Sequence, residues 1–383
     1  MKCCIMSFSR AFILLLVVLA FFSCKTRHAL HSGMERLKEK ELVLRIAPKA
    51  GNPRNSEGSF ITLKDGRILF VYSKYSGEGS GDHDPAFLAG RYSADGGKTW
   101  TKEDEVIVEN EGLMNVMSVS LLRLQNGAIA MFYLRKNSTS DCIPVMRIST
   151  DEAETWSRPV TCITDKKGYF VLNNDRVIQL SSGRLLMAVA LHKTPDTKWK
   201  EKAQLWSYFS DDNGKTWQAG SPVPTPDTIV TQEPGVVELK NGNILMFIRA
   251  SAGKQLYSWS ADQGATWSPA VPSPVSSPLS PASIERIPET NDLLMVWNNN
   301  DGETAATKGE RTPLTLAISK DEGKSWRHIK PVETDPDGWY CYTAIHFTED
   351  AVLFGYCAGS QSAGTHLSVT NISKIELDWI YQQ

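Results

Sequence analysis

Histidine is scarce in this chain of 383 residues, seven in all, and no CxxC pair or His-rich spacing accompanies it, so nothing in the sequence asks for a metal or another cofactor. A surplus of charge of one sign is lacking as well: 41 basic residues against 43 acidic ones leave a net charge of -2. That near-balance excludes the strongly basic surface of a nucleic-acid binder or of a polybasic membrane-surface protein, and favours a small molecule or a glycan as partner. Helical apolar periodicity long enough for a bundle is missing too. What stands in its place are 27 glycines, 19 prolines and 11 tryptophans, the composition of many short strands joined by turns.

At the N-terminus, Lys2 and Arg10 precede an apolar run from Ala11 to Phe22, and Ser23 and Cys24 follow it. The run is too short to span a bilayer as a mature helix and has the layout of an export signal. Phe21-Phe22-Ser23-Cys24 resembles a bacterial lipobox, with Phe21 standing where leucine is usual. The resemblance implies a lipoprotein-type signal peptide over residues 1–23 and a diacyl anchor on Cys24. Residues 24–41, polar and basic, read as a tether, and residues 42–383 as the folded domain. The expected location is the periplasm or the outer membrane, with the lipid at Cys24 as the membrane contact. Cys142, Cys162, Cys341 and Cys357 then lie in an oxidising compartment. Cys341 and Cys357 fall opposite each other across a hairpin centred near residue 349, either paired or as two buried thiols.

An octapeptide, S-x-D-x-G-x-x-W, recurs as Ser93 to Trp100, Ser210 to Trp217, Ser260 to Trp267 and Ser319 to Trp326, and with alanine for glycine as Ser149 to Trp156. The aspartate accepts turn N–H groups, the glycine takes a backbone conformation that other residues resist, and the tryptophan packs the turn down. The motif is structural and its aspartate is not catalytic. Between the boxes recur two apolar strands joined by a tight turn, at Asp65-Gly66, Asn126-Gly127, Ser182-Gly183, Asn241-Gly242, Asn291-Asp292 and Glu349-Asp350. The octapeptides resemble the Asp-boxes of the sialidase (neuraminidase) superfamily, and the six hairpins predict an all-β, six-bladed β-propeller of four-stranded antiparallel blades. The sixth blade lacks a box and ends in a strand from His366 to Leu377, which the early strand Leu42 to Ile46 joins to close the ring.

Strand polarity puts the hairpin turns and the boxes at one end of every blade and the starts of the inner strands at the other. Aligned on the turns, the inner strands bring Glu57, Ser118, Asn174, Glu233, Ser280 and Tyr342 to one height. The ends of the second strands add Lys74, Arg135, Lys136, His192, Arg249 and Asn298. Cations, carboxylates and a tyrosine on one axis fit a pocket that recognises an anion.

Gln232-Glu233-Pro234-Gly235 followed by Phe247-Ile248-Arg249, then Arg311 ahead of the last box, then Trp339-Tyr340-Cys341-Tyr342-Thr343, are similar to the catalytic strands of exo-sialidases. The resemblance implies Tyr342 as nucleophile, Glu233 as its base, and Arg249 and Arg311 as two members of an arginine triad. It also places an acid in the loop Gly81-Asp82-His83-Asp84-Pro85, where Asp84 has the fitting distance to Ser93 and Asp82 and His83 are alternatives. A phenol needs a neighbouring carboxylate to take its proton, and a guanidinium binds a planar carboxylate through two parallel bonds. The departure lies in blade one, where the family's Arg-Ile-Pro is replaced by Asn55-Ser56-Glu57-Gly58. Arg45 or Arg54 then completes the anion site, or Arg135, Lys136 and Arg176 of Asn174-Asp175-Arg176 rebuild it, with Glu57 and His192 also reaching the substrate. Three functions follow: an exo-acting sialidase-type glycoside hydrolase on a terminal acidic sugar, a glycosidase or lyase on a uronic-acid-containing glycan, and a non-catalytic carbohydrate-binding propeller.

Overall fold

The computed structural model describes residues 40–302 and 309–382. The segment 1–23 expected to be a signal, Cys24 and the expected tether up to residue 39 lie outside the described residues. The first strand, β1 (Glu41–Ile46), begins one residue before the expected boundary. β2 (Asn55–Thr62), β3 (Ile68–Tyr75), β4 (Ala86–Ser93) and β5 (Glu105–Val108) then form an antiparallel sheet.

A nine-stranded sheet follows. It contains β6 (Asn115–Arg123), β7 (Ile129–Ser138), β8 (Asp141–Ser149), β9 (Val160–Thr161), β10 (Tyr169–Val171), β11 (Ile178–Gln179), β12 (Leu185–Lys193), β13 (Gln204–Ser210) and β14 (Gln218–Ala219). Its two halves meet through one parallel pairing, Tyr169 beside Cys142, and β10 and β11 both pair with β12. Two more antiparallel four-stranded sheets are β15 (Thr231–Glu238), β16 (Ile244–Ala250), β17 (Lys254–Ser260) and β18 (Val271–Ser276), and β19 (Ser283–Arg286), β20 (Leu293–Asn298), β21 (Leu314–Ser319) and β22 (Arg327–Glu333). The last sheet holds β23 (Gly338–Phe347), β24 (Ala351–Ser360) and β25 (Thr370–Glu376), with β1 from the start of the domain as its fourth strand. A short helix, α1 (Leu377–Tyr381), caps it.

Each of the six hairpin turns joins the strands it was assigned to, and the pairing shows why the ends of the sheets differ. Ile68 faces Thr62 on one side and Ser93 of the first Asp-box on the other, so turn and box share an end, while Asn55 and Phe87 flank Lys74 at the opposite end. In that box Asp95 Oδ1 accepts the Thr99 N–H at 2.8 Å and Oδ2 the Thr99 hydroxyl at 2.6 Å. The Gly97 N–H donates to Ser93 Oγ at 2.9 Å with φ of 85°. The degenerate box repeats these bonds around Asp151 but puts Ala153 at φ 70°. A left-handed alanine costs about 1–2 kcal/mol, and its buried methyl recovers part of that by packing. Ala153→Gly is therefore expected to stabilise the protein by about 0.5–1 kcal/mol, read as a rise in the urea midpoint. A fall would mean that the methyl contacts outweigh the strain.

The first strands of the sheets are tied to one another by polar side chains. Ser59 Oγ accepts the Leu121 N–H at 3.0 Å and donates to Asp175 at 2.7 Å, whose other oxygen accepts the Ile345 N–H at 2.9 Å. Asn174 donates to the carbonyls of Gly58 and Tyr342 at 2.8 and 3.0 Å. β2, the segment before β11, β6 and β23 thus meet in a buried hydrogen-bonded centre, where a displaced strand would leave polar groups unpaired.

Candidate active site

Four of these inner strands are interrupted at matching places. The register shifts between Ser56 and Ser59 in β2, Met117 and Ser120 in β6, Gln232 and Gly235 in β15, and Cys341 and Ala344 in β23. Inside each shift one non-glycine residue is left-handed: Glu57 at φ 58°, Ser118 at 60°, Glu233 at 42° and Tyr342 at 55°. A bulge of this kind re-aims a side chain, at a cost of about 1–3 kcal/mol for each strained residue. Gly58 and Gly235 follow because a Cβ there would stand 2.3 Å from the rings of Phe70 and Phe247.

The third inner strand differs. It is broken between Val171 and Ile178, and the left-handed residue is Asp175, at φ 58°, not Asn174. Asn174 and Asp175 serve the hydrogen-bonded centre, and Arg176 is buried, donating to the Ala282 carbonyl with its guanidinium 5.1 Å from the Phe247 ring. Burial lowers the Arg176 pKa to about 10. All three residues support the floor of the site. Ser280 also departs from the alignment: β19 starts at Ser283, and Ser280 donates to Asn298 at 2.5 Å.

Tyr342 donates its hydroxyl to Glu233 Oε1 at 3.1 Å, and Arg249 donates to Oε2 at 2.6 Å. Burial works to raise the Glu233 pKa, but the Arg249 charge and hydrogen bond outweigh it, and the group lies below its ordinary value. Burial, and then the Glu233 charge, hold the Tyr342 pKa well above the ordinary phenol. The pair is thus a protonated phenol on an ionised carboxylate. The Arg311 guanidinium sits 5.5 Å from the centre of the Tyr342 ring and 4.9 Å from that of Trp339. Arg249 Nε and Arg311 Nη1 are buried beside the Tyr342 and Glu233 pair without a hydrogen-bond partner among the described residues.

The other flank is built on Arg54, which is buried over the Tyr75 ring at 4.5 Å. It donates to Asp82 at 2.6 Å, Ser56 at 2.9 Å and Glu57 at 3.0 Å. Glu57 accepts the Ser118 hydroxyl at 2.8 Å, and burial raises its pKa. Partial desolvation works against ionisation of Asp82, whose side chain is still 58% exposed, and the Arg54 charge and hydrogen bond prevail, so its pKa lies below the ordinary value. Lys136 donates to the Asp82 carbonyl at 2.5 Å.

A cavity of about 140 Å³ joins the two flanks, lined by Glu57, Asp82, Lys136, His192, Glu233 and Tyr342 among others, while Arg54, Arg249 and Arg311 stand behind that lining against Asp82, Glu233 and Tyr342. Asp84 is not among its lining residues: its carboxylate accepts the Gly81 N–H of its own loop at 2.7 Å. The loop closes on the second aspartate and leaves the first facing Arg54, so the structure brings the alternative Asp82, not the favoured Asp84, to the cavity. Arg45 is also set aside, since it lies exposed on β1 and donates to Asn371 at 3.1 Å. Arg135 precedes Lys136 on β7, and alternation along the strand leaves Lys136, not Arg135, at the cavity. Sequence reasoning missed Tyr75 and Tyr169, which lie against Arg54 and Lys136, and Trp199, which stacks on His192; Trp199 alone carried a signal, as an isolated tryptophan in a lysine-rich loop outside any box. Among the described residues, no group of three or more His, Cys, Asp or Glu is placed to hold a metal ion.

The family model of the BNR repeat-like domain matches residues 78–356, well over half of the chain. The chain belongs to the BNR repeat-like family. Within the sialidase superfamily it is similar to the sialidase of Micromonospora viridifaciens, 26% identical over 86% of this chain and 54% of that protein. The Paraclostridium sordellii sialidase is 28% identical over 55% of this chain and 56% of its own length. The Vibrio cholerae sialidase is 33% identical over 32% of this chain and 19% of its own. This BNR-repeat chain thus spans little more than half, or less, of the curated relatives it matches. Among solved structures, the NanB sialidase of Streptococcus pneumoniae superposes with a TM-score of 0.68 at 15% identity, over 89% of this chain and 71% of that one. A Dyadobacter fermentans protein of unknown function does so at 0.69 and 19%, over 89% and 100%. At these identities the likeness is one of fold: an all-β scaffold of four-stranded antiparallel sheets.

Proposed function

We propose that this chain is a retaining exo-glycosidase of sialidase type that releases a terminal acidic sugar, sialic acid first, from a glycan. The observation that carries the reading is the pair of bonds on Glu233, one from the Tyr342 hydroxyl and one from Arg249. In the first half-reaction Glu233 takes the phenol proton as Tyr342 Oη bonds to the anomeric carbon. The glycosidic C–O bond breaks, and Asp82 gives its proton to the departing oxygen. In the second, Asp82 takes a proton from water, the water oxygen bonds to the anomeric carbon, and the tyrosine leaves with the proton from Glu233. A neutral phenol approaches an anomeric centre that bears a carboxylate with less repulsion than an ionised Asp or Glu would. Arg249, Arg311 and Arg54 receive that carboxylate.

The scaffold we propose for this chemistry is a six-bladed propeller, in which the nine-stranded sheet is two blades bridged by the Tyr169 and Cys142 pairing. We further propose that the protein is exported and anchored through Cys24, facing glycans at the cell surface or in the periplasm. One observation favours a second reading, a uronic-acid-containing glycan: Arg54 is already held by Glu57 and Asp82, which narrows the anion site. Chromogenic sialosides and uronides separate the two. Sialoside turnover with first release of the same anomer is expected, followed by NMR. Turnover of uronides alone moves the specificity to the second reading, and turnover of neither removes the hydrolase.

A further inference from the structure

Beside the site lies a groove of about 540 Å³ between the segment from Leu191 to Gln204 and that from Val223 to Asp227, and His192 lines both this groove and the central cavity. Its walls carry three lysines, Lys193, Lys200 and Lys202, against one carboxylate, Asp227. Lys202 is engaged, donating to the Pro226 carbonyl at 2.8 Å and lying 3.5 Å from Asp227. Among the described residues, the ammonium groups of Lys193 and Lys200 have neither an ion-pair nor a hydrogen-bond partner. The junction with the central cavity is aromatic. Trp199 stacks on the His192 ring at 4.4 Å and 5°, meets the Tyr169 ring edge-on at 5.2 Å, and remains 46% exposed. The loop is held in place by two bonds, from the Lys200 N–H to the His192 carbonyl at 3.0 Å and from His192 Nδ1 to the Lys200 carbonyl at 2.8 Å.

We infer that this groove is a subsite for the leaving part of the glycan and that it selects aglycones bearing a second anionic group, a sulfate ester or a further carboxylate. The inference rests on the proposed exo-glycosidase reading. The exposed face of Trp199 takes the apolar C–H face of the sugar next to the cleaved bond, and Lys193 and Lys200, further out, take the anion through charge-assisted hydrogen bonds. A neutral aglycone leaves those two lysines solvated and gains only the stacking.

The test uses the full chain and three substrates: 3′-sialyl-N-acetyllactosamine, its 6-sulfated form, and a disialyl oligosaccharide whose aglycone ends in a second carboxylate. The sulfated and disialyl substrates are each expected to exceed the neutral one in kcat/KM by about tenfold at 0.05 M salt, and by much less at 0.5 M. A gain for one of the two anionic substrates alone identifies that anion as the ligand. In Lys193→Ala/Lys200→Ala the ratio should fall to about one, and the Lys193→Arg/Lys200→Arg form should restore it. Trp199→Ala is expected to raise KM for all three with little change in kcat. Calorimetric binding of sulfated N-acetyllactosamine, which has no cleavable acidic sugar, is read alongside. Binding that disappears in the double alanine variant supports the subsite even if no substrate turns over, an outcome that removes the hydrolase reading alone. Turnover without preference for either anionic aglycone, or binding that is unchanged in the variant, overturns the subsite.

Discussion

Tyr342→Phe is expected to lower kcat on a sialoside by at least about a thousandfold while leaving the fold and substrate affinity close to the parent. The substitution removes one oxygen, and among the described residues that oxygen has one hydrogen-bond partner, Glu233 at 3.1 Å. Phenylalanine keeps the ring beneath Arg311 and meets the same left-handed backbone, so neither the packing nor the strain of β23 changes. Glu233 retains the Arg249 bond and is not left as an unpaired buried charge. Arg249→Ala should fail differently, with a large rise in KM because it deletes a donor to the substrate anion, and with a smaller loss of kcat because it also removes the ion pair that keeps Glu233 ionised. The measurements are steady-state kinetics with equilibrium binding of the free acidic sugar. If the phenylalanine variant turned over at near the parental rate, the tyrosine mechanism would be wrong and Asp82, Glu57 and His192 would become the groups to examine.

How far the sequence exposed this arrangement depends on the range of the interactions involved. The Asp-boxes and hairpin turns were legible because each is settled within eight residues, by a carboxylate on nearby N–H groups and by residues that tolerate positive φ. Counting back from those turns also put Glu233 and Tyr342 at one level, since β15 and β23 run unbroken from bulge to turn apart from that single shift. The same counting slipped by one at Asn174, because the third inner strand breaks after Val171 and resumes at Ile178, and a broken strand has no fixed register. It failed at Ser280 for a related reason: β19 is short and begins beyond that residue. Cys341 and Cys357 were correctly placed opposite one another, and both are buried free thiols. The acid loop was not resolved by spacing, since which of Asp82 and Asp84 faces inward is decided by a bond to Gly81 and by an arginine 28 positions earlier. Arg54 itself was one choice among several because its reach into the site depends on lying over Tyr75, a contact no local pattern announces.

Asp82→Asn is expected to cost about 10²–10⁴ in kcat/KM on natural glycans, whose leaving oxygen needs a proton, and much less on aryl glycosides, whose phenolate leaves without one. Asp84→Asn should change either by no more than a few-fold, since its side chain serves the Gly81 turn. The pH dependence adds an independent mark. Arg54 holds the Asp82 pKa below the ordinary carboxylate range in the free protein, against partial desolvation, so Asp82 is largely ionised there at neutral pH. A substrate carboxylate that draws Arg54 onto itself withdraws that stabilisation, adds a negative charge nearby and covers the exposed carboxylate, and all three raise the Asp82 pKa. A general acid loses activity as pH rises through its pKa, so the alkaline limb of kcat, which reports the complex, should lie at higher pH than that of kcat/KM, which reports the free protein. Both limbs should vanish together in Asp82→Asn. Equal losses on glycan and aryl substrates, or an alkaline limb that persists in that variant, would assign the proton to another group, and Glu57, buried beside Ser118 with its own pKa raised, would be next in line.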